Sequence, residues 1–203
     1  EYALVGDWQS LLQRIESHPN EAVYQDKCKN SPLHVSCRRQ PPCDIIDALI
    51  QVYPASLTSK TLDGLTPLHF LCYCGSEPPP VQRVLLVLID HQQSLRDMVD
   101  RRGRNPLHCV CAGFRSSHRV QVIRLLLQMD PTCAVAPDER GRTPLTLIVD
   151  DYAEELQEAL AATQEVARDS CLIRGGDLEE CWSVMTLLLK AAYQQSVDDE
   201  KEK

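Results

Sequence analysis

The sequence is poor in the residues that turn-rich proteins depend on, with eight glycines and two phenylalanines among 203 residues. So little of either argues against a β-sandwich and against a low-complexity disordered chain. Long apolar runs are missing as well. The longest, residues 84–89, falls far short of the ~18 needed to cross a bilayer, and no membrane partner is expected. Positive charge is not in excess either: the net charge is −8, which disfavours bulk nucleic-acid binding. No signal-peptide pattern opens the chain, and its first residue is Glu1 rather than Met, which points to a processed end or an excerpt. Catalytic signatures are also lacking. There is no Gly-x-Ser-x-Gly, no His-Glu-x-x-His, no P-loop and no dinucleotide fingerprint. Gly175-Gly176 alone is too weak for a phosphate site. The expectation is a protein that is not an enzyme and uses no cofactor.

One string is present and comes back. Residues 66–72 read Thr-Pro-Leu-His-Phe-Leu-Cys, and residues 31–37 read Ser-Pro-Leu-His-Val-Ser-Cys. Residues 105–111 read Asn-Pro-Leu-His-Cys-Val-Cys, and residues 143–149 read Thr-Pro-Leu-Thr-Leu-Ile-Val. The strings start at 31, 66, 105 and 143, a near-constant period that signals a repeat architecture. Each has the chemistry of a helix start. Ser, Thr or Asn caps through its side-chain oxygen, and Pro takes the first helical position, where a missing N–H costs nothing. Upstream lie Gly64, Gly103 and Gly141, with Lys29 in the first copy, where the chain must fold back. Asp26, Thr61, Asp100 and Asp138 stand three residues before these and suit turn hydrogen bonds.

This pattern resembles the ankyrin repeat, Asp-x-x-Gly-x-Thr-Pro-Leu-His followed by two helices, over nearly the whole chain. The departures are repeats longer than the usual ~33 residues, Lys29 for a turn glycine, and Thr146 for the fourth histidine. Tyr53-Pro54 and Asp130-Pro131 also stand where Gly-Ala would close a second helix. In these departures the chain resembles ankyrin-like proteins of microalgae. The resemblance implies an all-α ankyrin-repeat solenoid of about four helix-turn-helix repeats with capping helices.

One domain is expected over residues 1–195. A cap helix covers 5–18, and the repeats start near 26, 61, 100 and 138, the last with an extended insertion at 150–177. A charged flexible tail covers 196–203. Inner helices are expected at 32–39, 67–74, 106–112 and from 144 to about 168. Outer helices are expected at 43–52, 81–91, 118–129 and 178–192, with loops at 75–80, 113–117 and 170–177. The outer helices carry apolar residues at helical spacing.

Other residue groups invite chemistry. His34, His69 and His108 lie one per repeat, so roughly 10 Å apart, too far for one metal ion with ligands at about 2 Å. The resemblance implies that they brace neighbouring loops. Ten cysteines without a secretory context read as reduced thiols of an intracellular protein, cytoplasmic or nuclear. Cys37, Cys72 and Cys111 read as small core residues. Cys74 and Cys109 read as partly exposed, and with Cys72 they leave open a metal- or redox-responsive protein. Asp150, Asp151, Glu154, Glu155 and Glu158 make an acidic stripe, by default a solvated face.

The resemblance implies binding through turn tips and exposed inner-helix positions. Those positions are rich in cations. The expected partner-binding residues are Lys27, Arg38, Arg39, Lys60, Leu62, Tyr73, Arg101, Arg102, Arg104, Arg140 and Arg142. Arginine forks suit carboxylates and phosphates, so the expected partner is another protein with an acidic or phosphorylated segment, bound by a chain that is monomeric on its own. The other reading is a regulatory or targeting domain of a larger enzyme or channel. Reversing Arg101, Arg102 and Arg104 to Glu is expected to abolish capture at unchanged melting temperature.

Overall fold

The computed structural model describes residues 2–90, 94–113, 116–165 and 175–201. Among these the chain is all-helical, without a β-strand. The helices are α1 (Tyr2–Val5), α2 (Trp8–Ser17), α3 (Pro32–Cys37), α4 (Cys43–Val52), α5 (Pro67–Tyr73), α6 (Pro78–Asp90), α7 (Pro106–Ala112), α8 (Arg119–Met129), α9 (Pro144–Glu165) and α10 (Gly175–Lys201). They pack in two rows. In the first, α3 lies on α5, α5 on α7 and α7 on α9; in the second, α2, α4, α6, α8 and α10 follow one another. Each first-row helix also packs on its successor in the chain, which belongs to the second row. The short α1 touches both α2 and α3, so α1 and α2 head the two rows as a further pair.

The residues explain these starts. Ser31, Thr66 and Asn105 sit at the N-caps of α3, α5 and α7 in extended backbone, and proline follows each. The helix expected at 5–18 is present as α2, starting at Trp8, and a short further helix, α1, precedes it. Gly6 takes φ +77° between them, and the Asp7 carboxylate accepts from the Ser10 N–H at 3.1 Å to start α2. The three prolines at 78–80, expected in a loop, form the first turn of α6. The first N–H groups of any helix lack an intrahelical acceptor, so proline there gives up nothing. Pro19, Pro54 and Pro131 each open a 3₁₀ turn just after a second-row helix, at Pro19–Val23, Pro54–Leu57 and Pro131–Ala134.

At the far end, α10 begins at Gly175, inside the expected loop, and continues to Lys201, through most of the expected tail. The rest of both segments, at 166–174 and 202–203, lies outside the described residues. So does the expected helix end near Arg168, together with 114–115 of the expected 113–117 loop and the His91 end of the second outer helix.

The core runs between the rows. The leucine of each Pro-Leu-His string, Leu33, Leu68 and Leu107, is at most 1% exposed. Across from them lie Ile45, Ile46 and Leu49 of α4, Val84 and Leu88 of α6, and Val122, Ile123 and Leu126 of α8, all buried. Each such side chain contributes about 1.5–3 kcal/mol by leaving water. The result is a two-row stack of helices.

Candidate partner-binding face

The turns before α3, α5, α7 and α9 share one construction. In each, the first residue's N–H donates to a carbonyl four residues on: Asp26 to Asn30, Thr61 to Leu65, Asp100 to Arg104, and Asp138 to Arg142, at 2.8–3.1 Å. The side chain of that first residue accepts from backbone inside the turn. Asp100 Oδ1 takes the N–H of Arg102 and Arg104 at 2.8 and 2.9 Å; Asp138 Oδ1 takes those of Arg140 and Arg142, both at 2.9 Å. Lys29 adopts φ +61° at the position where Gly64, Gly103 and Gly141 take +71° to +79°. The tips also bond to each other. Leu62 N–H donates to Cys28, Arg101 to Asp63, and Glu139 to Arg102, each at 2.9 Å. The face is therefore a ladder of rigid loops.

The histidines hold it to the helices. The backbone N–H of Ser31, Thr66 and Asn105 points at Nδ1 of His34, His69 and His108, at 3.1–3.2 Å. Each Nε2 faces a carbonyl oxygen, which can only accept, so Nε2 carries a proton; Nδ1 accepts in His34 and His69, while Nδ1 of His108 also lies 2.8 Å from Asn105 Oδ1. Each Nε2–H then reaches the next turn: His34 to Leu65, His69 to Arg104 and His108 to Arg142 carbonyls, all at 3.1 Å. Burial pushes all three pKa values down, that of His69 to about 4, against the favourable carbonyl contact. The fourth copy lacks this brace. Thr146 is exposed and its hydroxyl donates to Thr143 O at 2.8 Å, within its own turn.

The expected binding residues divide into two sets. Lys27, Arg38, Arg39, Arg101, Arg102 and Arg140 are exposed. Arg104 and Arg142 are committed elsewhere. Arg104 grips Asp100 Oδ2 through Nε and Nη2 at 2.9 and 2.7 Å, and Arg142 grips Asp138 Oδ2 at 3.0 and 2.8 Å. Both aspartates are almost fully buried. Burial opposes ionisation of Asp100 and Asp138, but the backbone N–H groups and arginine forks outweigh it and hold both pKa values below the usual carboxylate range. Reversing Arg104 would therefore set two carboxylates together and loosen a turn, so it is not a neutral probe. Lys60 donates to Val99 O at 3.0 Å, spanning to the next repeat unit. Leu62 and Tyr73 are 41% and 44% exposed.

Arg119 is a site residue with no motif. It is 2% exposed. Its Nε donates to Val110 O at 3.2 Å, Nη2 to Cys111 O, and Nη1 to Asp151 Oδ2 at 3.1 Å. It thus caps the carboxyl end of α7 from α8 and ties both to α9, with its guanidinium 5.9 Å from the Tyr152 ring centroid. Asp151 of the acidic stripe is accordingly engaged, and Asp150 is exposed. The side chains of Glu154, Glu155 and Glu158 lie outside the described residues.

Among the described residues no cluster of His, Cys, Asp and Glu fit to hold a metal occurs, and every described cysteine is free. Cys37, Cys72 and Cys111 are buried as expected. Cys109 is not partly exposed: α5 and α9 flank α7 on two sides and leave the thiol 1% accessible. Burial pushes its pKa up to about 12. Cys74 is half-buried and Cys28 exposed.

Two hollows open at the head of the first row. One of about 630 Å³ lies among α1, α2, the Pro19–Val23 turn and α3. The other, about 320 Å³, is bordered by Arg38, Arg39, His34 and Phe70. No protein-family model matches the chain, and no curated protein matches it.

Proposed function

We propose that the chain is a divergent ankyrin-repeat module that binds a partner protein through its turn tips and the adjoining surface of the first-row helices. One observation carries this reading. Arg38, Arg39, Arg101, Arg102 and Arg140 are exposed and make no side-chain hydrogen bond or ion pair among the described residues, on loops that hydrogen bonds hold rigid. Loops already held lose little backbone freedom on binding, and their unengaged guanidiniums suit a carboxylate-rich or phosphorylated segment, so the geometry favours its capture. The rest of the protein is negative, which repels such a segment from other faces.

The test is capture from native lysate on immobilised protein, with each bound protein identified and its affinity measured against purified chain. Arg101→Glu, Arg102→Glu and Arg140→Glu together should abolish binding of the principal partner at unchanged melting temperature. Undiminished binding by that triple variant would remove the charge-based reading.

A further inference from the structure

The two hollows at the head of the first row share a wall. Leu4, Asp26, Asn30 and Val35 border both, so they form one trough. At its near end Tyr2, Leu4 and Tyr24 are 42%, 55% and 70% exposed, and Leu11 and Ile15 make the floor. At its far end stand Arg38 and Arg39. Of the charges between them one pair cancels, and one carboxylate, held by hydrogen bonds inside its own turn, stays ionised. Arg14 pairs with Glu21 at 2.5 Å. Asp26 accepts from the Cys28 and Asn30 N–H groups, both at 2.8 Å, and from Asn30 Nδ2 at 2.9 Å. The trough is therefore apolar at one end and, with two guanidiniums against the one carboxylate of Asp26, net positive at the other.

We infer that this trough takes an extended segment of a partner protein in which a large apolar side chain stands a set distance from a run of carboxylates. The inference rests on the partner-binding reading and names where and what the first repeat grips. Charge complementarity selects the occupant. An apolar segment alone would leave Arg38 and Arg39 facing nothing, and an acidic one alone would leave the Tyr2–Leu4–Tyr24 surface wet. The spacing follows from α3. Pro32 borders the apolar hollow and Arg38 the positive one; six residues of helical rise span about 9 Å. About three residues of extended chain cover that distance. The apolar anchor thus lies within a few residues, on the order of three, of the first carboxylate.

A random twelve-residue peptide display library, selected on the whole chain, tests this. The enriched peptides should combine an aromatic or leucine anchor with carboxylates at that spacing. In fluorescence anisotropy one enriched peptide should bind about tenfold or more weakly to the Arg38→Glu, Arg39→Glu variant and to Leu4→Asp, with unchanged circular dichroism and melting temperature. An empty selection, peptides without the anchor–carboxylate spacing, or unchanged binding by R38E/R39E would overturn the assignment. Peptides that lose binding with R101E/R102E but keep it with R38E/R39E would leave the partner-binding reading standing and overturn this one. Self-association in sedimentation velocity that L4D abolishes would give the trough to a second copy, which also overturns it.

Discussion

Lys29 and Gly64 occupy the same position of successive turns, with φ of +61° and +79°. One is the wrong residue for that backbone and the other the right one, so exchanging them should move stability in opposite directions. A non-glycine residue in the left-handed region costs about 1–2 kcal/mol. Glycine has a freer unfolded state, worth about 0.4–1 kcal/mol in the opposite sense. The Lys29 side chain makes no hydrogen bond or ion pair among the described residues, so Lys29→Gly should stabilise by about 0.5–1 kcal/mol. Gly64→Ala pays more than the strain. A Cβ there would lie 2.9 Å from Arg101 N and 3.1 Å from Asp100 backbone, atoms that cannot swing aside. Moving that turn endangers the Arg101 N–H to Asp63 bond of 2.9 Å, worth about 1 kcal/mol. The net loss should be about 2 kcal/mol. Urea unfolding followed by circular dichroism, with m unchanged, measures both. A neutral Gly64→Ala, or a destabilising Lys29→Gly, would refute the reasoning.

Three further outcomes follow from the same geometry. Arg119→Ala strips the end of α7 of its buried donors and removes the ion pair to Asp151; denaturant unfolding should show a loss of about 3 kcal/mol, and Arg119→Lys should restore only part of it. The histidines fold with pKa values below the ordinary 6.5, so the unfolded chain binds more protons, and the stability they confer is full above 6.5 and falls as pH drops. His69, held at about 4, should alone account for about 3 kcal/mol lost between pH 6.5 and 4, a slope that His69→Gln flattens in pH-dependent melts. Thiol titration of the native protein should label exposed Cys28 first, with Cys37, Cys72, Cys109 and Cys111 reacting only as fast as the chain opens; a fast Cys109 would contradict its burial.

How much of this was legible depends on whether a signal is local. Ser31, Thr66 and Asn105 announce helix starts because cap and proline act within one turn, and the leucine after the proline is buried in the first three copies, while Leu145 of the fourth is only partly so. The three prolines at 78–80 mislead for the same local reason: proline breaks a helix interior but not its first turn. Arg104 and Arg142 read as free surface cations because nothing in the sequence says that a turn brings a carboxylate four residues back under the guanidinium. Arg119 was illegible, since most of its partners are main-chain carbonyls, which carry no sequence pattern. The trough at the head of the first row was equally hidden. It depends on α1, a short helix ahead of the expected one, settling against α3.

The central claim is that the cationic tips and the first-row surface grip a partner while α4, α6 and α8 of the second row do not. Hydrogen exchange on the chain with and without its captured partner measures this directly. Protection should appear at residues 27–30, 62–65, 99–104 and 137–142 and at the ends of α3 and α5. Protection confined to α4, α6 and α8, with those turns unchanged, would contradict it.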